Sequence, residues 1–453
     1  MFNKFLLFSV SFLLVSWIFP NNDAWKKKID PVLWSKAAQG KPAECIVVLQ
    51  GQADISLAKK LSTKEDKGKY VFYHLQKFAQ QAQGNLQFFL ATKKISFRPY
   101  YIVNAIFLNA DQTLLETLAQ RDDVAFIQDN TYTHFEEPLR EKNAATGFRG
   151  GDGLPEWGVR RIKADSVWAM GYTGQGVVIG GEDTGYAWMH PAIKKKYRGY
   201  LEGDTTSSHA YNWHDAIHSI SPLSSDSINP CGLNLLAPCD DLGHGTHTMG
   251  TMVGDDENPS DSLRNRIGVA PGARFICARN MERGNGSPAT YIECFEWFLA
   301  PTDLENKNPD PTKAPHVINN SWYCSTEEGC NKSNFALMEQ AVQNLKSAGV
   351  VVVISAGNAG PNCGTIAFPP AMFPNSFAIG ATGPSDSIAP FSSRGPVPDS
   401  LHTLNKELVK PNVCAPGRNV RSCVPNNGYA EYSGTSMAGP HTAGLVALLI
   451  SAN

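Results

Sequence analysis

The feature that most restricts the fold is a series of short apolar runs that do not alternate. They stand at residues 177–181, 275–278, 317–319, 350–355 and 377–380, and the fourth reads Val-Val-Val-Val-Ile-Ser. A strand with one wet face alternates apolar and polar residues, whereas a strand covered on both faces stays apolar. Helical stretches at 243–253, 289–299 and 335–347 lie between the runs and supply the crossovers that parallel neighbours require. From residue 154 to 453 the chain is therefore expected to be α/β, a doubly wound, largely parallel sheet. Its functional loops belong at the carboxyl ends of the strands.

The N-terminal part is organised differently. Lys4 precedes an apolar run, 5–19, broken only by Ser9, Ser11 and Ser16. That run is short for a membrane span and suits the core of a secretory signal. Residues 1–24 are expected to be a signal peptide, a short anchor being the alternative. What remains is expected to be a monomer, extracellular or periplasmic, with no membrane contact after signal removal. Residues 43–136 follow a β-α-β-β-α-β order, with strands at 45–49, near 95–97, at 101–108 and at 124–128. Helices at 64–90 and 113–120 complete the split-βαβ pattern of a small ferredoxin-like α+β domain. From 130 to 153 the chain turns polar and Gly-rich and reads as exposed; 137–153 is taken as a linker open to proteolysis.

Lys and Arg number 40 against 42 Asp and Glu, a net charge of −2, so no global field recruits nucleic acid. Ten cysteines fit an oxidising compartment. Cys231/Cys239 and Cys324/Cys330 lie in loop sequence and are the expected bridges. Cys277 and Cys294, within apolar runs, are candidates for buried thiols.

Reactive residue types stand at the ends of these elements. Val-Val-Ile-Gly-Gly-Glu-Asp-Thr-Gly closes a strand on Asp183, His-Gly-Thr-His opens a helix at His244, and Gly-Thr-Ser-Met-Ala-Gly-Pro-His sets Ser436 at a helix start. A helix N-terminus carries free N–H groups and a positive dipole end, which suit a developing oxyanion. A serine hydroxyl needs a base to become a nucleophile, and a histidine serves near neutral pH. A carboxylate fixes that imidazole's tautomer. Asn358, at the end of the 350–355 strand, adds an amide donor to the same oxyanion position.

Here the motifs resemble those of the subtilisin-like serine proteases, the subtilases, whose order is Asp, His, Ser. Segments such as Glu-Trp-Gly-Val-Arg-Arg-Ile and Val-Ile-Asn-Asn-Ser-Trp are similar to the bacillopeptidase F type. The resemblance implies a serine endopeptidase acting on polypeptides without a required cofactor. It also implies that residues 43–136 are an inhibitor-like propeptide whose tail fills the cleft until it is cut off, within 134–150. Gly284, Asn285, Gly286 and Ser287, with Asn320, Ser321, Trp322 and Tyr323, would flank the bound peptide. The walls of the first specificity pocket would come from 321–323 and 359–374, and the second stretch has no charged residue, so an apolar P1 side chain is expected.

Other expectations are plainer. His247 and His441 are packed helix residues, and a zinc site at His244 and His247 lacks the usual spacing. Asp241 is a candidate N-cap for the His244 helix. Lys26–Lys28 and Lys194–Lys196 read as solvated faces. The acidic loop 255–261 could hold a structural calcium. Gly439 stands where the family commonly has Ser, and only 17 residues follow Ser436, fewer than the family's domain. The second function class is therefore an inert, shortened chain whose N-terminal domain acts only as inhibitor or chaperone.

Overall fold

The computed structural model describes residues 23–135, 137–140, 153–202, 207–323, 332–401 and 407–453. Residues 1–22 of the expected signal peptide, most of the linker and the Cys324/Cys330 pair lie outside the described residues.

A short helix, α1 (Pro31–Ala37), leads into β1 (Ala43–Leu49), α2 (Lys64–Thr92), β2 (Phe97–Tyr100), β3 (Ala105–Ala110), α3 (Gln112–Ala119) and β4 (Val124–Asp129). The antiparallel sheet has the order β2-β3-β1-β4. Cys45, Val47 and Leu49 share a core with Leu86 and Leu90 of α2 and Leu115 and Leu118 of α3. Thr63 and Asp111 cap the two longer helices, accepting from Asp66 N and Leu114 N. The strand expected near 95–97 runs from Phe97 to Tyr100, and the one expected at 101–108 begins only at Ala105, after a turn at 101–104. Buried amides claim the backbone there: Gln83 donates to Tyr100 O, and Asn104 donates to Gln50 O and Gly51 O. Pro99 sits on the edge strand β2, where a missing N–H costs no ladder bond.

Two short strands follow, β5 (Thr133–His134) and β6 (Leu139–Arg140), then helices α4 (Trp157–Arg161) and α5 (Ala164–Ala169). The large sheet comprises β7 (Val178–Asp183), β8 (Trp213–Asp215), β9 (Arg274–Arg279), β12 (Val317–Asn320), β13 (Val351–Ser355), β14 (Phe377–Thr382) and β15 (Val413–Pro416). Its order is β15-β14-β13-β12-β7-β9-β8, and every pairing is parallel. Neighbouring residues on each strand enter opposite cores. Ile179, Val317, Val353 and Ile379 pack with α6 (His244–Val253) and α9 (Thr435–Ser451). Ile276, Ile318, Ile354 and Ala378 pack with α7 (Pro288–Leu299) and α8 (Lys332–Ser347). Both faces are covered, which is why these runs carry no alternation. Three antiparallel pieces complete the fold: β10 (Met281–Glu282), β11 (Asn285–Gly286), and a hairpin of β16 (Val420–Val424) and β17 (Gly428–Ser433).

Cys231 and Cys239 are bridged, as expected, while Cys277 and Cys294 are buried free thiols. Lys194–Lys196 is not a uniformly solvated face: Lys196 is buried and, with Lys195, pairs with Glu257. Among the described residues no helix is long and apolar enough to cross a membrane.

Candidate active site

Helix α6 starts where it does because Gly243 adopts a left-handed turn, φ +96°, that aims the chain at the end of β7. The Asp240 carboxylate accepts from the backbone N–H groups of Leu242, Gly243 and Thr246 and from the Thr246 hydroxyl. Asp241, the expected cap, is drawn instead to Asn229, to the Arg283 N–H and to the buried guanidinium of Arg279. Gly245 permits close approach, since a Cβ there would lie 2.2 Å from Gly185 O. The outcome is His244 Nδ1 at 2.7 Å from Asp183 Oδ1, both side chains buried. Asp183 Oδ1 also accepts from Thr184 N at 2.8 Å. An Nδ1–H directed at this carboxylate leaves His244 Nε2 as an acceptor, and among the described residues Nε2 has no partner.

Ser436 opens α9. Thr435 donates to Asn358 Oδ1 through its N–H and its hydroxyl, at 2.9 and 3.0 Å, which turns Asn358 Nδ2 away from the helix. A Cβ on Gly434 would lie 3.7 Å from Asn358 Nδ2 and 3.7 Å from Ser436 N, so the two donors bracket one small volume. The Ser436 hydroxyl donates to Ser321 O at 3.0 Å, and Ser321 Oγ donates to Ser436 O at 3.0 Å.

A polypeptide strand crosses this cleft, and it is the chain's own. β5 pairs antiparallel with β11, Thr133 opposite Gly286 and His134 opposite Asn285. Phe135 N–H donates to Gly284 O at 2.9 Å, and its ring centroid lies 4.7 Å from that of His244. Pro138 Cβ would be 3.7 Å from the same Gly434 Cβ position, beside the two donors. β6 then pairs with β17, Leu139 opposite Ser433 and Arg140 opposite Tyr432. The stretch read as exposed is thus partly buried: Thr133 and Phe135 are sealed by strand pairing that a polar sequence does not announce.

The remaining expected residues divide. Gly284, Asn285 and Gly286 hold this strand, and Asn285 Oδ1 meets His134 Nδ1 at 2.8 Å. Ser287 is turned to α7 instead, as its N-cap in a reciprocal box with Thr290. Asn320 and Trp322 are buried behind the cleft rather than lining it. Tyr323 stacks on Phe368, centroids 5.8 Å apart, with Ala371, Met372 and Phe373 buried nearby. His247 lies 3.1 Å from both Val420 O and Ala430 O and stacks on Tyr432; burial pushes its pKa down to about 3. His441 meets Met437 O at 2.8 Å, and burial lowers it to about 4. In the acidic loop three carboxylates pair with cations, Asp255 with Arg264, Glu257 with Lys195 and Lys196, and Asp261 with Arg266, while Asp256 accepts from Asn258 N and from Asn265 N and Nδ2.

Sequence reasoning missed how the small domain docks. Glu296 of α7 accepts from Tyr101 N and Ile102 N at 2.5 and 2.8 Å, and Asn130 Oδ1 accepts from Ala289 N in the first turn of α7. Glu293 pairs with Arg98 and receives His214 Nε2 and His218 Nε2 at 3.0 and 2.9 Å.

A seven-stranded parallel sheet wrapped by helices on both faces is the subtilisin-like α/β architecture. The subtilase family profile matches residues 174–453, and the chain belongs to that family. It is 36% identical over 415 residues to Bacillopeptidase F of Bacillus subtilis (strain 168), covering 87% of this chain and 26% of that protein. It is 29% identical over 302 residues to Subtilisin Savinase of Lederbergia lenta, 66% of this chain and 84% of the relative. With Subtilisin E of Bacillus subtilis (strain 168) it shares 27% identity over 360 residues, 78% and 72% of the two chains. The chain spans about a quarter of the length of the Bacillopeptidase F it matches.

Proposed function

We propose that the chain is the precursor of a secreted serine endopeptidase, held inactive by its own N-terminal domain. Residues 1–24 are the signal, 43–136 the inhibitor-like domain, and 154–453 the catalytic domain. Ser436 is the nucleophile, His244 the general base and then acid, and Asp183 the group that orients and stabilises the imidazolium. The Ser436 N–H and Asn358 Nδ2 receive the oxyanion.

The observation that carries this reading is the segment whose described residues form β5 at Thr133–His134 and β6 at Leu139–Arg140. It is held by main-chain ladders on either side of His244 and Ser436, which is how a cleft built for extended polypeptide binds its ligand. Tethering raises the tail's effective concentration to the order of millimolar, so it competes with any free peptide. For reaction, the Ser436 hydroxyl rotates from Ser321 O to His244 Nε2. The oxygen attacks the scissile carbonyl while the proton passes to His244; His244 then returns it to the departing amine, and water repeats the sequence on the acyl-enzyme. The uncharged wall formed by 359–374, with the Tyr323–Phe368 stack, favours an apolar or aromatic P1 side chain.

The chain is expected to cut itself between Phe135, which packs on His244, and Pro138, which lies beside the oxyanion donors. N-terminal sequencing of the mature fragment tests this: a new terminus within that window supports it, and Ser436→Ala should remain uncut. Processing of Ser436→Ala at the same rate would show that another protease does the cutting.

A further inference from the structure

Asn285 stands directly opposite His134 in the β5–β11 pairing, and opposite residues of an antiparallel ladder carry their side chains on the same face. Asn285 is 5% exposed, and the two ends of its amide serve different neighbours. Nδ2 donates to Ser224 Oγ at 3.1 Å, and Oδ1 lies 2.8 Å from His134 Nδ1. Which end of the amide faces the peptide is decided by what stands behind Asn285.

Ser224 lies in the loop between β8 and α6, where its N–H donates to Ser221 O. Its hydroxyl has one proton, and that proton goes to Glu282 Oε2. Glu282, at the end of β10, is buried, and its other oxygen accepts from Asn229 Nδ2 at 2.7 Å and from Arg283 Nε at 2.6 Å. Burial pulls this carboxyl up, but the hydrogen bonds from Ser224, Asn229 and Arg283 outweigh it and hold the group below its ordinary value. An ionised carboxylate only accepts, so Ser224 gives it the proton and has only a lone pair left for Asn285. Asn285 therefore turns Nδ2 to Ser224 and Oδ1 to the peptide. The reverse orientation would set two acceptor oxygens face to face at Ser224 and leave a buried amide end without its partner. Glu282, Ser224 and Asn285 all lie within 154–453, so this direction is built into the cleft and does not depend on the tail.

We propose that Asn285 is a specificity-determining residue: its side-chain oxygen, held toward the bound peptide by Ser224 and Glu282, selects a hydrogen-bond donor and rejects a carboxylate at the residue opposite it. The tail meets this requirement with His134, whose Nδ1–H donates to Asn285 Oδ1. In a substrate the same place, upstream of the bond that is cut, takes His or Asn, side chains that carry an N–H at the same distance from the backbone. Ser224 is a positioning residue, acting on the peptide only through Asn285. The inference rests on the peptidase reading above and narrows its polypeptide substrates.

The test measures kcat/KM of the processed enzyme on internally quenched peptides of the tail sequence 130–140, unchanged or carrying His134→Asn or His134→Asp. Asn and Asp have the same shape and differ in the N–H donor and the charge. Wild type should cut the His and Asn peptides within about threefold of each other and the Asp peptide about tenfold or more slowly, since a site built to receive a donor is left facing an acceptor. The Asn-to-Asp ratio is read within each enzyme, so a change in overall activity cancels. In Asn285→Ala the ratio should fall below about threefold. In Ser224→Ala the amide loses its anchor, and the ratio should drop at least about threefold from wild type. Ser224→Thr keeps a hydroxyl and should stay within about twofold of the wild-type ratio. Each of three results would overturn the proposal: a wild-type ratio below threefold, a ratio that survives in Asn285→Ala, or a Ser224→Ala ratio equal to that of wild type. Failure of wild type to cut any of these peptides would instead strike the peptidase reading.

Discussion

Truncating Phe135 to Ala gives the most informative view of the proposed self-inhibited state. The ring is 4% exposed and seats against His244, while its backbone is tied to Gly284 O independently of the side chain. Fully burying such a side chain is worth about 1.5–3 kcal/mol. Deep-core Phe→Ala changes cost about 3–5 kcal/mol, but part of that is an unfilled cavity, which a cleft open to solvent does not keep. A loss of about 2–3 kcal/mol follows, with the β5–β11 ladder retained. At 1.4 kcal/mol per tenfold, the tail should vacate the cleft on the order of 30- to 100-fold more often. The assay is labelling of Ser436 by a fluorescent fluorophosphonate, read on the uncut band of a gel so that processed enzyme is excluded. The uncut Phe135→Ala chain should label 30- to 100-fold faster than uncut wild type, and Phe135→Leu only a few-fold faster. An increase below threefold in folded, uncut Phe135→Ala would refute the idea that this ring closes the cleft.

Other outcomes follow from the same geometry. Asp183→Asn leaves the fold intact but favours the wrong His244 tautomer, and should cut kcat on a peptide by about 10⁴, as in the serine protease triad generally. Asn358→Leu should lower kcat by on the order of 10²–10³ with little change in KM, the loss attached in subtilisin to its oxyanion asparagine. Burial beneath Tyr101 and Ile102 raises Glu296 from 4.5 to about 8, against the pull of its two N–H donors and Arg98. A group raised in the docked state favours docking below its ordinary value and loses that contribution as pH rises through about 8. The small domain should therefore dissociate faster at pH 9 than at pH 5, and Glu296→Gln should flatten that difference. Arg279→Ala should reduce unfolding stability by about 3–5 kcal/mol in denaturant titrations, because it strands Asp215 and Asp241 without their buried counter-charge.

The central strands were legible because burial on both faces leaves an unbroken apolar run, as at 350–355 and 317–319. β8 and β15 were not: Trp-His-Asp and Val-Cys-Ala-Pro are too short and too polar to register as runs, and they are sheet edges. Asp183, His244, Ser436 and Asn358 could be picked out because each stands where an apolar pattern stops. Asp240 and Asp241 could not be told apart as caps, since the choice depends on the Gly243 turn and on Arg279, whose approach is a long-range fact. The pairing of β5 with β11 and of β6 with β17 joins residues more than a hundred positions apart through backbone groups, and backbone groups leave no mark on side-chain identity.

The central claim is that Ser436 is a nucleophile activated by His244 and Asp183. Its most direct measurement is covalent labelling of the processed protein by a fluorophosphonate, with the modified peptide located by mass spectrometry. The account predicts one adduct, on Ser436, that disappears in Ser436→Ala and slows by at least a thousandfold in His244→Ala. Folded, processed protein that takes up no adduct at Ser436, or labels equally well without His244, would contradict it.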